Sequence, residues 1–140
     1  MIKTSKDNKL PKVSFVIPAK DEEKTIVKLV DQISEQLKKL KLSYEIIFID
    51  DGSTDNTYQV IKNLSLKDKV IKVISHRGNF GKSIALQNGF NHARGDIVFT
   101  MDADLQDDPN EIPKFIKKLN EGYDLVSGWK KIRYDPISKT

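Results

Sequence analysis

The sequence contains no cysteine and only two histidines, His76 and His92, among its 140 residues. The first absence excludes disulfides, thiolate zinc sites and cysteine nucleophiles, and the second leaves too few imidazoles for a catalytic zinc. A metal, if used, must sit on oxygen. Long apolar runs are also missing: stretches such as Ile46 to Ile49 fall far short of the ~20 residues that cross a bilayer, and residues 1–12 lack the apolar centre of a signal peptide. The chain therefore reads as cytoplasmic and soluble, with a polar extension over 1–12 ahead of one domain over 13–140. Strong charge imbalance is absent too, since 24 Lys plus Arg stand against 20 Asp plus Glu. The lysines are scattered, with no basic stripe interleaved with aromatics, so nucleic acid is not an expected partner. Only Lys130, Lys131, Arg133 and Lys139 gather into a cluster.

What is present is a regular alternation. Short β-branched runs occur at Val13 to Ile17, Tyr44 to Ile49, Val70 to Ser75, Ile97 to Met101 and Asp124 to Ser127. Helical patterns separate them. The first places Ile26, Leu29, Val30, Ile33, Leu37 and Leu40 on one stripe, with Asp21, Glu22 and Glu23 expected in its opening turn. The second carries Val60, Ile61 and Leu64 after the cap signals Ser53, Thr54 and Asp55. A third, from about Lys82 to Ala93, shows a small-residue face of Ala85, Gly89 and Ala93 suited to close packing on a sheet. The fourth has Asp108 as N-cap, Pro109 at the first helical position, Glu111 placed for a capping box, then Ile112, Phe115, Ile116 and Leu119 inward, and Gly122 as its stop. This order predicts an α/β fold, a mostly parallel sheet covered by helices on both faces in three α/β/α layers.

Sheets of this kind bind ligands beyond the carboxyl ends of their strands. Each expected strand ends in polar, turn-rich sequence, and the fourth end stands out: Asp102-Ala-Asp-Leu-Gln-Asp-Asp-Pro109 delivers two carboxylates one residue apart. Asp102 and Asp104 can share one hard cation, Mg²⁺ or Mn²⁺, while water and phosphate oxygens fill the rest of its shell. The same residues could simply form a polar turn before a helix cap. The acidic density favours the cation, because Asp102, Asp104, Asp107 and Asp108, with Asp50 and Asp51 at a neighbouring strand end, would otherwise repel one another. Gly78-Asn-Phe-Gly81-Lys82-Ser83 lacks the glycine spacing of a P-loop, whose first glycine would fall at His76. No G-x-G-x-x-G follows the first strand. A receiver-like phosphoacceptor domain would explain Asp50 and Asp51 but not Asp102-Ala-Asp104.

Five motifs in order, Val-Ile-Pro-Ala-Lys-Asp-Glu-Glu23, Ile-Asp-Asp-Gly-Ser-Thr-Asp55, Arg-Gly-Asn-Phe-Gly-Lys82, Met-Asp-Ala-Asp-Leu-Gln-Asp-Asp-Pro109 and Ser-Gly-Trp-Lys-Lys131, make the chain resemble the N-terminal part of a glycosyltransferase family 2 enzyme with the GT-A fold. The branch it is similar to is that of the polyprenyl-phosphate sugar synthases. The resemblance implies an inverting glycosyltransferase that moves a sugar from a nucleotide-diphosphate sugar, UDP- or GDP-linked, to a polyprenyl phosphate. It implies that Pro18, Lys20 and Glu22 line the base and ribose pocket with Ile49 and Asp51, and that Asp102 and Asp104 hold the metal on the diphosphate. Ala103 and Gln106 would flank those carboxylates, and Lys130 would stand in the place of a family Arg near the phosphates. Asp104 and Lys130 are then the expected catalytic residues.

Departures from the family pattern are visible. The usual Tyr-Asn after the strand-one proline is Lys20-Asp21, Gly78 stands where an Arg is common, and Lys130 replaces an Arg, keeping charge but losing bidentate phosphate contact. A phosphate acceptor arrives as an anion, so no strong general base is required, and Asp135 is a weak candidate for one. Relatives of this kind continue into an acceptor-binding half, so the GT-A domain over 13–140 is expected to be truncated at that end. The whole protein would then work at the cytoplasmic face of the membrane. The alternative is a nucleotide-binding or interaction module without transfer activity, and self-association into a homo-oligomer stays open.

Overall fold

In the computed structural model, which describes residues 10–122, β1 (Val13–Ala19) runs through the middle of a parallel sheet. It pairs with β2 (Tyr44–Asp51) on one side and β4 (Ile97–Thr100) on the other, with β3 (Ile71–His76) outside β2. Val13 faces Tyr44 in one ladder and Ile97 in the other. Parallel central strands are covered on both faces, and β1 is accordingly buried at every position except the half-buried Pro18.

The two faces carry different cargo. Phe15 and Ile17 of β1 and Ile46 and Phe48 of β2 pack under α1 (Ile26–Leu40), α2 (Thr57–Lys67) and α4 (Ile112–Asn120). Val16, Ile47 and Ile49 pack under α3 (Lys82–His92) through Ala85. The three layers are those expected. Phe15 stacks on Phe99 with ring centroids 5.1 Å apart, and Phe99 meets Phe115 of α4 at 6.0 Å, tying β4 and the last helix to the sheet centre. At the opposite end of the sheet Glu45 is buried, accepting from Ser14 Oγ, Lys72 Nζ and the Arg94 backbone N–H. It thereby fixes where β4 enters.

The stripe on α1 buries Ile26, Leu29, Val30, Ile33 and Leu37 as its spacing predicts, and Lys41 closes the helix in the left-handed region at φ 58°. The opening turn differs. Asp21, Glu22 and Glu23 precede the helix and none lies in its first turn, because their groups are bonded to the loop after β2 rather than to helix amides. In α2 Ile61 is fully buried, and Val60 and Leu64 are partly so. The fourth helical segment also begins differently. A single 3₁₀ turn, Pro109–Glu111, precedes α4; Asp108 accepts from the Asn110 N–H as a cap. Glu111 does not complete a capping box but lies 3.6 Å from Lys114. The expected fifth strand at Asp124 to Ser127 lies outside the described residues.

The small face of α3 has a steric cause. A Cβ on Gly89 would stand 2.3 Å from Val16 Cγ1 and 2.9 Å from Ile49 Cδ1, so only glycine lets the helix lie this close to the sheet. Gly89→Ala is expected to cost about 1–3 kcal/mol by overpacking, despite alanine's better helix propensity. Urea denaturation checks this, and an unchanged or higher midpoint would show that the contact yields freely.

Candidate donor-binding site

Loops from all four described strands meet at the carboxyl edge of the sheet. Pro18 is tolerated inside a central strand because even-numbered residues of β1 bond toward β4, as the bonds from Ile97 N–H to Lys12 and from Met101 N–H to Val16 show. The β1–β4 ladder ends at Val16 opposite Thr100, so the missing proline donor has no ladder partner to lose. Ile49, opposite Pro18, is fully buried.

After β1 the chain turns at Asp21, φ 54°, and is stitched to the loop after β2. The Asp21 carboxylate accepts from the Thr54 N–H at 2.7 Å, the Thr54 hydroxyl and the Asp55 N–H, and Lys20 Nζ lies 3.2 Å away. Glu22 N–H donates to Thr57 Oγ1, and Glu23 accepts from the Asn56 N–H. These donors, the Thr54 N–H first and then Lys20, hold the Asp21 carboxyl at about 2 against an ordinary 3.8. A depressed carboxyl stabilises the fold above its unfolded value and loses that contribution as pH falls. Wild-type stability is therefore expected to drop between about pH 4 and pH 2, and the drop should be shallower in Asp21→Asn, as read by denaturant midpoints across that window. Parallel curves would assign the acid loss elsewhere.

The β2 loop is equally close to the loop after β3. Gly52 adopts φ +76°, and a Cβ there would lie 2.5 Å from the backbone carbon of Gly78. Asp50 accepts from the Ser53 N–H and closes a turn. Asp51 does more internal work than its sequence position implies. Its Oδ1 accepts from His76 Nδ1 and the Phe80 N–H, and its Oδ2 from the Gly81 N–H, all at 2.9 Å. Asn88 of α3 donates through Nδ2 to His76 Nε2 at 2.8 Å, which puts the imidazole proton on Nδ1. Burial pushes the Asp51 carboxyl up, but the bonds from His76, Phe80 and Gly81 outweigh it and the net direction is down.

The β4 end holds the acidic pair. Asp102 and Asp104 are both half-buried, around a buried Ala103 whose carbonyl accepts from the Thr25 hydroxyl. Asp107 accepts from the Asp102 N–H at 2.9 Å, and Asp104 Oδ1 from the Gln106 N–H at 3.1 Å, across Leu105 at φ 67°. Glu22 lies in the field of this pair: burial first, then the charges of Asp104, Asp55, Asp102 and Asp21, raise its carboxyl above the ordinary value. Lys82, absent from the residues the sequence marked, brings Nζ to 2.8 Å from Asp102 Oδ1. Its local signal is the Gly81-Lys82 step, whose spacing does not fit a P-loop.

Among the described residues no three His, Cys, Asp or Glu side chains enclose a metal site. Two carboxylates whose charge raises Glu22 and draws an ammonium nevertheless fit a divalent cation that takes its remaining oxygens from phosphate and water. The structure thus brings Pro18, Lys20, Glu22, Ile49, Asp51, Asp102, Ala103, Asp104 and Gln106 to one edge of the sheet. Lys130 lies outside the described residues. His92 bonds the Asn88 carbonyl on its own helix, a structural role.

Known proteins are similar to this chain in sequence and in fold. Residues 14–139 match the family described as Glycosyl transferase family 2. An undecaprenyl-phosphate 4-deoxy-4-formamido-L-arabinose transferase of Proteus mirabilis (strain HI4320) is 41% identical over 129 residues, covering 91% of this chain and 39% of the relative. The chain thus spans about two fifths of the length of that curated relative. A mannosyltransferase from Pyrobaculum calidifontis, solved with GDP-Man and Mn²⁺, superposes with a TM-score of 0.67 at 26% identity, covering 84% of this chain and 34% of its own. Glucosyl-3-phosphoglycerate synthase from Mycobacterium tuberculosis, solved with Mn²⁺, UDP and phosphoglyceric acid, gives 0.61 at 30% identity, covering 78% and 39%. The α/β sheet is that of the GT-A glycosyltransferases, and the chain belongs to glycosyltransferase family 2.

Proposed function

We propose that this chain is the donor-binding part of an inverting glycosyltransferase that moves a sugar from a UDP- or GDP-sugar to a polyprenyl phosphate at the cytoplasmic face of the membrane. The observation that carries the reading is the placement of Asp102 and Asp104 after β4 at the same carboxyl edge as Glu22 after β1, where the like charges repel and a cation would relieve the repulsion. The naming of the Proteus mirabilis relative as an undecaprenyl-phosphate sugar transferase favours a lipid phosphate acceptor, and Mn²⁺ beside nucleotide in two structural neighbours favours a divalent metal.

In this reading Asp102 and Asp104 hold Mg²⁺ or Mn²⁺, and the ion supplies Lewis-acid stabilisation of the charge growing on the departing nucleoside diphosphate. Pro18, Ile49 and Ala103 shape the wall against which the nucleoside lies. Lys20, Glu22, Asp51 and Gln106 supply its polar contacts, with Asp51 contributing only the acceptor capacity left beside its three donors. Lys130 neutralises phosphate charge. Lys130, Lys131 and Arg133 would also draw in an anionic lipid head group, each worth about 1 kcal/mol near a membrane surface. Orientation of the acceptor is assigned to the part of the longer relatives that these residues do not match, since transfer depends on holding both reactants in line.

A thermal-shift panel of UDP-, GDP- and dTDP-sugars with and without Mn²⁺ tests the reading. One nucleotide class is expected to raise the melting temperature only with metal, and the 140-residue chain should bind it without appreciable transfer to polyprenyl phosphate. Equal stabilisation in excess EDTA would remove the metal from the site.

A further inference from the structure

Lys82 is the first residue of α3, and its ammonium lies 2.8 Å from Asp102 Oδ1 with 62% of the lysine side chain exposed and 32% of the aspartate. Its base and its tip are held very differently. The backbone beneath it is fixed: the Phe80 and Gly81 N–H groups are bonded to Asp51, Asp51 to His76, and His76 to Asn88 on the same helix. The preceding loop is pressed against Gly52, where no side chain has room. The tip is a single ion pair in contact with solvent, weak and readily exchanged. A rigid base carrying a mobile cation is suited to moving one charge between two nearby anions.

We infer that Lys82 is an exchangeable counter-ion of the donor site, resting on Asp102 in the free protein and transferred to the donor diphosphate when a divalent cation takes Asp102. This rests on the donor-binding reading above. A metal ion on Asp102 Oδ1 takes the oxygen Lys82 holds, and one on Oδ2 still draws off the carboxylate charge and repels the ammonium, so either way the ion pair is loosened. The loosened ammonium is still tethered at the edge where the diphosphate would lie, and a phosphate oxygen is the anion that arrives with the metal. The exchange keeps the pocket's charge compensated in both states, and it makes metal and nucleotide favour each other's binding. Lys82 would then touch the substrate directly, while His76, Asp51 and Asn88 are positioning residues that aim it.

The inference gives opposite signs for two affinities, which a merely structural role does not. Mn²⁺ binding is measured by electron paramagnetic resonance on the 140-residue chain, alone and with UDP or GDP, for the wild type, Lys82→Met and Lys82→Arg. In Lys82→Met, affinity for Mn²⁺ alone should rise about 5-fold, because a competing positive charge has gone. In the same variant, affinity for the nucleotide with Mn²⁺ should fall about 10-fold, through loss of a charge-assisted contact. Lys82→Arg should keep both within about 3-fold, since it keeps the charge. Both affinities falling together in Lys82→Met, or neither changing, would overturn the exchange. Wild-type protein that binds Mn²⁺ but no nucleotide would instead overturn the donor-binding reading, and a rise in Mn²⁺ affinity in Lys82→Met would then show only the competition at Asp102. Because Lys82 is exposed, the methionine variant should melt at the wild-type temperature without ligand, and a large drop would also count against the exchange.

Discussion

Asp104→Ala is expected to abolish the metal-dependent stabilisation of the protein by nucleoside diphosphates. At a ligand concentration one hundred times its dissociation constant, a site that binds only the folded state adds about 2.7 kcal/mol, and in the variant this gain should vanish. The substitution also removes the acceptor for the Gln106 N–H, a loss on the order of 1 kcal/mol. The comparison must therefore be made against the variant's own ligand-free melt. A retained nucleotide shift that still needs Mn²⁺ would move the metal to other carboxylates of this edge.

Asp51→Ala should have the larger effect on the fold itself. The carboxylate is buried, and its removal leaves His76 Nδ1 and the N–H groups of Phe80 and Gly81 without their partner. Leaving a buried donor without its partner typically costs roughly 1–3 kcal/mol, so three such losses are a large part of the 5–15 kcal/mol that usually holds a domain together. Denaturant unfolding reads this directly. Asp51→Asn keeps one acceptor oxygen and should fall between the two. Were Asp51 only an exposed nucleoside contact, both variants would unfold as the wild type does and lose nucleotide affinity alone.

The fold was legible in the sequence where burial imposes a period. The β1, β2 and β3 runs, the α1 stripe and the small face of α3 are each forced by what must lie against the sheet, and β-branched runs separated by helices leave little choice of topology. The placement of Asp102 and Asp104 at the carboxyl edge was legible for a related reason, since they follow an apolar strand directly. The roles of Asp21 and Asp51 were not. The sequence marks Asp21 as a group of the helix opening and the resemblance marks Asp51 as a ligand contact, whereas each binds amides from a loop more than twenty residues away, and nothing in local spacing announces a partner that distant. Lys82 lies in a motif of the family, but its pairing with Asp102, twenty residues on, has no local signature. Glu45 was hidden in the same way, as a single polar letter in an apolar strand whose partners, Ser14, Lys72 and Arg94, come from three other segments.

The central position of β1 bears on how the protein acquires its site during folding. Pairing of Val13 with Ile97 closes a loop that contains three helices and two strands, and such closure is entropically costly until most of the intervening chain has condensed. β1 can dock on β2 early, across a single helix, but β4 must wait. Because Asp102 and Asp104 follow β4, the carboxylate pair comes to the edge that holds Glu22 only when that last ladder forms. An emerging chain would have Pro18 paired with Ile49 before Asp102, Ala103 and Asp104 had a place on the sheet. Mutations that slow β4 docking, at Phe99 for instance, should therefore delay metal competence by more than they delay the appearance of helical signal.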